Sequence, residues 1–266
     1  MYSFTFHRPE TLRQAVNLLS KNEDAKLLAG GHTLLPTMKL RLANPPQLID
    51  LSRIEGLAGI ELSGRSLTVG AMTRHADVHS SPVVQQAIPV LAKLAGLIGD
   101  PAVRHMGTIG GSIANNDPNA DYPAAVLGLG ATIITNKRRI AADDFFTGMF
   151  STALEEGEII TKISFPIAKK AAYEKFKHPA SGFALVGVFV SKRGPDIRVA
   201  VTGAGSNGVF RVKSFEEALK KRFAVKSLDG LSIPANGMNS DIHASSEYRA
   251  HLVAVLARRA VAKAVA

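Results

Sequence analysis

The chain predicts a mixed α and β fold in two parts, α/β followed by α+β, and three observations predict it. Over the first fifty residues, segments of strand and helix character alternate, the pattern of a small α/β unit. In the last hundred, two β-rich runs meet at a tight turn and precede a long amphipathic helix. Charge also changes between the parts. Residues 1–166 hold 15 Lys+Arg against 15 Asp+Glu; residues 167–266 hold 17 against 7 and so carry the whole net charge of +10.

Residues 9–20 read as a helix, with Pro9 in its first turn and Leu12, Ala15, Val16 and Leu19 on one face. "AKLLAGG" (25–31) reads as a short buried strand ending in a glycine turn, and "QLIDLS" (47–52), after Pro45-Pro46, as another. "GIELSGRSLTVGAMT" (59–73) is a hairpin turning at Ser63-Gly64-Arg65. Residues 82–98 read as one helix, with Val84, Ile88, Leu91, Ala95 and Ile98 on a face. "AAVLGLGATIITN" (124–136) and "EIITKISFP" (158–166) read as strands, and Pro166 as a domain boundary. Beyond it, "FALVGVFVS" (183–191) and "IRVAVTGAG" (197–205), joined by "KRGPD", are expected to be antiparallel neighbours. A short helix follows over 214–222. A long one spans 245–265, capped by Ser245, with Leu252, Val255, Leu256 and Ala260 on its apolar face. There is no internal repeat and no low-complexity segment.

Composition limits the chemistry. With 46% hydrophobic and 20% charged residues, the profile is that of a soluble globular protein with a core. No apolar run approaches the ~18 residues of a membrane span, and "MYSFTFHRPETLRQAV" lacks a secretory pattern. A cytoplasmic protein is therefore expected. Cysteine is absent. That removes disulfides, zinc–thiolate sites, a cysteine nucleophile and any self-ligated iron–sulfur cluster. Any redox centre must be a bound organic cofactor or lie on another chain. The basic residues of the last third are scattered and Trp is missing, so nucleic acid is not the expected partner.

Four motif readings fail on their own terms. "DPNAD" (117–121) opens like a calcium loop, but the sixth and twelfth positions, where glycine and glutamate are needed, hold Tyr122 and Gly128. In "HADVH" (75–79) the glutamate of a zinc helix is missing, which leaves His75 and His79 as two solvated helix histidines. "GAGSNG" (203–208) is followed by the extended "VFRV" rather than a helix, so it reads as a strand-end turn. No P-loop occurs, and no order of Ser, His and Asp or pair of carboxylates marks a catalytic set.

What remains is a phosphate reading. Backbone N–H groups bind a pyrophosphate well where glycine lets the chain approach it. Two loops offer this: "AGGHT" (29–33) and "TIGGS" (108–112), about 80 residues apart. Each pairs Gly-Gly with a hydroxyl: Thr33 in the first, Thr108 and Ser112 in the second.

At these loops a family resemblance enters. "LLAGGHTLLPTMKLRL" (27–42) with "GDPAVRHMGTIGGSIANNDPNADYPAA" (99–125) resembles the FAD-binding medium subunit of the molybdenum hydroxylases, which include carbon monoxide and xanthine dehydrogenases. "SSEYRAHLVAVLARRAV" (245–261) is similar to the family's terminal helix, so the resemblance covers nearly the whole chain. It implies an α+β fold. An FAD-binding domain of the vanillyl-alcohol-oxidase type (1–166, subdomains about 1–56 and 57–166) precedes a small C-terminal domain (167–266) with an antiparallel sheet and helices. It further implies that Ala29, Gly30, Gly31, His32, Thr33 and Leu34 hold the FAD pyrophosphate from one side. Thr108, Ile109, Gly110, Gly111 and Ser112 would hold it from the other. Asp121 would lie near the FAD, and Ile98, Ile160 and Lys177 match further contact positions. The chain departs from the family at "KHPASGFA" (177–184), where Phe183 and His178 stand in place of commoner residues; Phe183 can pack on a ring but cannot donate a hydrogen bond.

Functionally the resemblance implies an oxidoreductase subunit that supplies no catalytic acid or base and binds no metal itself. A large subunit with a molybdenum–pterin cofactor would oxidise the substrate. Two [2Fe–2S] clusters on a small subunit would feed FAD, which passes electrons to an external acceptor. The expected assembly is a dimer of heterotrimers, with the basic C-terminal third as a docking surface. Carbon monoxide, purines, aldehydes and N-heterocycles all stay open as substrates. Two alternatives also remain: a free-standing FAD-dependent oxidoreductase and a non-enzymatic nucleotide-binding assembly module.

Overall fold

The computed structural model describes all 266 residues, Met1–Ala266. The chain opens with β1 (Thr5–His7), α1 (Leu12–Ser20), β2 (Lys26–Leu28), α2 (Leu34–Lys39) and β3 (Gln47–Asp50). The strands form a parallel sheet in the order β1-β3-β2. Helix α1 begins later than Pro9 suggests. Thr11 caps it by accepting from Gln14 N–H at 3.3 Å, and Gln14 Oε1 accepts from Thr11 N–H at 3.2 Å. This reciprocal capping box starts the helix at Leu12. The face expected from the sequence packs on a small core of Ala15, Ala25, Ile49, Leu51, Ile54, Leu57 and Ile159.

The middle of the chain begins with the predicted hairpin, β4 (Ile60–Ser63) and β5 (Ser66–Gly70). Six short helices follow: α3 (His75–Ser80), α4 (Pro82–Ala87), α5 (Pro89–Gly96), α6 (Pro101–Met106), α7 (Ile109–Asn115) and α8 (Tyr122–Leu129). Then come β6 (Thr132–Thr135), β7 (Arg139–Ala141), α9 (Ala142–Phe145), the small hairpin β8 (Phe146–Gly148) and β9 (Ser151–Thr152), and β10 (Ile160–Pro166). An antiparallel sheet runs in the order β4-β5-β10-β6-β7.

Two expectations fail here. The single helix over 82–98 is two, because Pro89 lacks an N–H and holds Ile88 out of the helical region, at φ −141° and ψ 73°. The strand over 124–136 is instead helix α8 followed by the short strand β6. All eight residues of α8 are buried, so it has no polar face from which a helical period could be read.

The last part forms an antiparallel sheet of β11 (Lys170–Lys177), β12 (Ala184–Arg193), β13 (Asp196–Thr202) and β14 (Phe210–Arg211). Arg193 faces Asp196, so the two strands predicted as neighbours turn at Gly194-Pro195. Residues 203–208 form the expected turn ahead of β14. Helices α10 (Lys213–Lys221) and α11 (Ser246–Val265) complete the chain, and Ser245 Oγ caps α11 by accepting from Tyr248 N–H at 3.2 Å. Val255 is only half-buried, whereas Leu252, Leu256 and Ala260 are buried as expected.

This sheet is covered on both faces, which explains why β12 reads as a nearly unbroken apolar run. Val186, Val188 and Val190 meet the core shared with α10 and α11. Phe189, with Tyr173 and Ala200, belongs to the 30-residue core that also contains α8 and the middle sheet. Hydrogen bonds reinforce the second contact. Ser191 Oγ donates to Gly128 O at 2.6 Å, and Thr202 Oγ1 to Pro118 O and Ala120 O at 2.9 and 2.7 Å. Several of the basic residues are ion-paired: Arg198 and Arg211 both pair with Asp143, Arg249 with Asp241, and Lys263 with Glu174. No helix is long and apolar enough to cross a membrane.

Candidate cofactor site

The two glycine loops, far apart in sequence, lie against each other. A Cβ on Gly30 would fall 2.3 Å from Met106 O and 2.7 Å from Gly107 Cα, so only glycine allows this crossing of backbones. A Cβ on Gly111 would sit 3.5 Å from that of Ala29 and 3.0 Å from Thr108 Oγ1, between the loops. The second loop is itself laid antiparallel along residues 71–75. His75 N–H donates to Gly107 O (2.9 Å), Ile109 N–H to Thr73 O (3.1 Å) and Gly110 N–H to Ala71 O (2.8 Å).

Accounting for the N–H groups separates the two loops. In the second, Ile109 and Gly110 donate as above, Gly111 donates to Thr108 Oγ1 at 3.1 Å, and Ser112 donates to Thr108 O at 3.0 Å. Only the Thr108 N–H is left without a protein acceptor among residues 107–112. The Gly-Gly pair there is therefore explained by packing: a Cβ on Gly110 would fall 2.6 Å from Ala71 O. The first loop is the opposite case. None of the six N–H groups of Ala29, Gly30, Gly31, His32, Thr33 and Leu34 meets a protein acceptor. Gly31 has φ +72°, the left-handed conformation found in anion-binding nests of successive amides. His32 and Thr33 are exposed, the other four half-buried, so the run is open to a ligand. The hydroxyls of Thr33 and Ser112 make no hydrogen bond, whereas that of Thr108 caps α7.

Cationic groups surround the crossing. Arg74 pairs across from Thr108, and Arg104 on α6 donates to Ile98 O and Gly99 O at 2.9 and 3.1 Å. His75, read from the sequence as solvated, is instead buried at 5% exposure beside Gly107, its ring 5.3 Å from that of Tyr122. Burial, then the nearby His32 and Arg104, lower its pKa to about 4, so it is neutral at physiological pH. Its role was not readable from "HADVH", because the burial comes from the second loop and α8.

The remaining predicted residues are dispersed. Asp121 precedes α8 and is buried. Its Oδ1 accepts from the Tyr173 hydroxyl at 2.5 Å and its Oδ2 from Lys175 Nζ at 2.8 Å. Burial pushes the Asp121 carboxyl up, and the Lys175 ammonium opposes that push. Both carboxylate oxygens are thus engaged by the third sheet. Ile98 is half-buried before α6, and Ile160 is buried at the start of β10, next to Thr161, whose carbonyl accepts Ala71 N–H. Lys177 ends β11 on an exposed hairpin and bonds to neither loop. Lys175 and Tyr173 carried no sequence signal, being ordinary residues of a strand. Asn116 likewise carried no sequence signal. It is fully buried at φ +45°, and its Nδ2 donates to Gly148 O and Ser151 O at 2.7 and 2.8 Å.

Residues 2–168 match the family described as the FAD binding domain in molybdopterin dehydrogenase, and the chain belongs to that family of oxidoreductase flavoprotein domains. Among its relatives, it is 38% identical to the carbon monoxide dehydrogenase medium chain of Hydrogenophaga pseudoflava, covering 97% of this chain and 96% of that one. It is 34% identical to the glyceraldehyde dehydrogenase medium chain of Sulfolobus acidocaldarius, covering 97% and 96%. Its structure is similar to that of the Hydrogenophaga pseudoflava carbon monoxide dehydrogenase lacking the Mo-pyranopterin moiety, with a TM-score of 0.88 at 37% identity over 99% of this chain and 98% of that chain.

Proposed function

We propose that this chain is the FAD-binding medium subunit of a molybdenum hydroxylase complex. It takes electrons from [2Fe–2S] clusters on a small subunit and passes them from FAD to an external acceptor. A large subunit carrying the molybdenum–pterin cofactor oxidises the substrate, and two heterotrimers assemble as a dimer. Medium chains similar to this one belong to enzymes named for carbon monoxide, glyceraldehyde and nicotine, which supports assigning substrate choice to the large subunit. The reading includes a two-subdomain FAD-binding domain of the vanillyl-alcohol-oxidase type, about 1–56 and 57–166, followed by a C-terminal domain over 167–266. The separate small core of the first sheet supports the first of these divisions.

The observation that carries the reading is the run of six unpaired amides from Ala29 to Leu34. When bound, FAD supplies the capacity to gain and release electrons one at a time. The chain's own residues bind and place it. The amides of 29–34 and Thr108, with the hydroxyls of Thr33 and Ser112, offer donors to the pyrophosphate. The second loop acts chiefly as the wall against which the first is folded. Asp121, Ile98, Ile160 and Lys177 are assigned to the rest of the cofactor on the resemblance alone.

Flavin content tests this. Gly31→Ala strains the nest at φ +72°, and Gly111→Ala places a methyl group between the loops. Each hydrogen bond to a charged phosphate contributes about 1.5–3 kcal/mol, so loss of one lowers FAD affinity roughly 10–100-fold. Purified variants that keep full FAD stoichiometry and wild-type affinity would remove the assignment. Gly110 is unsuitable for this purpose, because its substitution strikes the Ala71 backbone whether or not FAD is bound.

A further inference from the structure

The hairpin between β11 and β12 carries Lys177 and Phe183 and is closed by two backbone bonds, His178 N–H to Phe183 O (2.8 Å) and Gly182 N–H to His178 O (2.9 Å). Its tip is tied to the segment ahead of α11 by a histidine pair. His178 Nε2 lies 3.2 Å from His243 Nδ1, with the rings edge-to-face and their centroids 4.3 Å apart. Two further bonds fix the tautomer. His178 Nδ1 accepts from Ala180 N–H and Ser181 N–H, both at 3.3 Å, so it carries no proton and Nε2 does. Nε2–H then donates to His243 Nδ1, which must also be bare. The clasp closes only when both rings are neutral.

The two sides of the clasp are held very differently. On the side of His243, Asp241 Oδ1 accepts from His243 N–H and Ala244 N–H at 2.9 and 3.1 Å. Asp241 Oδ2 pairs with Arg249 at 2.6 Å. Arg249 is buried and grips Leu185 O and Gly203 O at 2.7 and 2.8 Å, which anchors the segment to the third sheet. The hairpin tip has only its own turn bonds and His178. The charged groups near the pair are Lys177 on the hairpin, Asp241 beside His243, Arg249 bonded to Asp241, and Glu247 in the first turn of α11.

We propose that His178 and His243 form a proton-operated clasp that holds the 178–183 hairpin, and with it Phe183, in place above neutral pH and releases it in mild acid. A proton on His178 Nδ1 would face two N–H donors, and one on His243 Nδ1 would face the Nε2–H of its partner. Either ends the bond. Because the closed form excludes both protons, the opening constant rises as pH falls. That Phe183 and Lys177 face the flavin rests on the reading above; the clasp itself does not.

Hydrogen exchange of the full chain, followed by mass spectrometry at pH 7.5 and 5.5 with EDTA present and corrected for intrinsic exchange, tests the clasp. Peptides covering 178–184 should lose protection at pH 5.5 relative to pH 7.5, while those covering 241–250 hold theirs. In His243→Gln, an exposed substitution, the response of 178–184 should be clearly smaller than in the wild type, because only His178 is left to take a proton. Protection independent of pH in the wild type, or an unchanged response in His243→Gln, would overturn the proposal. So would a pH response that appears only when EDTA is replaced by zinc, since a metal clip would then hold the rings. Because none of these readouts involves FAD, they stand or fall apart from the cofactor assignment.

Discussion

Replacing Lys175 by methionine isolates the ion pair that joins α8 to the third sheet. The two side chains are 3% and 4% exposed, and Lys175 Nζ bonds to Asp121 Oδ2 at 2.8 Å and to Leu97 O at 3.2 Å. Methionine keeps the length of the stem and removes the charge. The Asp121 carboxylate is then buried without a counterion, and breaking such a pair costs about 3–5 kcal/mol. For a chain of this size that is a fall in Tm of roughly 10 °C. The pH dependence has a definite sign. Without Lys175 only the Tyr173 hydrogen bond opposes the upward push of burial on Asp121. A carboxyl whose folded pKa lies above its unfolded value contributes stability below the unfolded value, and that stability is lost as pH rises through the folded one. The deficit of Lys175→Met is therefore largest at neutral pH and shrinks in acid. Urea unfolding followed by circular dichroism at pH 7.5 and pH 5 measures it, with Asp121→Asn/Lys175→Met as the double variant. The double variant should recover more than about 1.5 kcal/mol. A deficit under about 1 kcal/mol at pH 7.5, or one equal at both pH values, would refute the reasoning.

Other predictions follow from the same geometry. His75 has its pKa lowered to about 4, so its neutral form contributes stability that is complete above the unfolded value near 6.5 and lost as pH falls toward 4. His75→Gln should abolish a pH-dependent loss of roughly 3 kcal/mol, read from unfolding midpoints between pH 7 and pH 4.5. Gly110→Ala should destabilise the FAD-free protein by about 1–3 kcal/mol through overpacking on Ala71, while Gly111→Ala leaves it within about 1 kcal/mol; thermal melts of apoprotein compare them. Asn116→Ala loses two buried bonds and a left-handed residue that tolerates φ +45°. It should cost about 2–4 kcal/mol, with Asn116→Gly about 1 kcal/mol milder because the backbone strain is relieved.

The elements that announce themselves in the sequence are those with one wet face or a distinctive turn. Helices α1 and α11, the hairpin at Gly64 and the turn at Gly194-Pro195 are of this kind. Helix α8 is hidden because every one of its residues is buried, and uniform apolarity carries no period. The break at Ile88-Pro89 was written in the sequence, but the apolar spacing of 82–98 spoke for continuity and concealed it. At the site, the residues of both loops were legible from Gly-Gly and hydroxyl alone. Their division of labour was not. It depends on Ala71, Thr73 and His75 taking up the bonds of the second loop, and those pairings are made across more than thirty residues of chain. The Asp121–Lys175 pair, 54 residues apart, was illegible for the same reason.

The double covering of the third sheet has a consequence for how the chain can be divided. Helix α8 lies within residues 2–168, the span the family shares, yet its outer side is roofed by β12 and β13. A fragment ending at 168 would uncover α8 at Leu127 and Gly128, where Arg198, Ser191 and Phe189 meet it, and leave Asp121 without Lys175 and Tyr173. Conversely, the sheet alone would expose Phe189 and the hydroxyl of Ser191. The boundary visible in composition is thus no seam in the folded molecule. The Thr108–Ser112 loop and the basic C-terminal third should melt as one cooperative unit, and a fragment truncated at 168 should be insoluble rather than merely inactive.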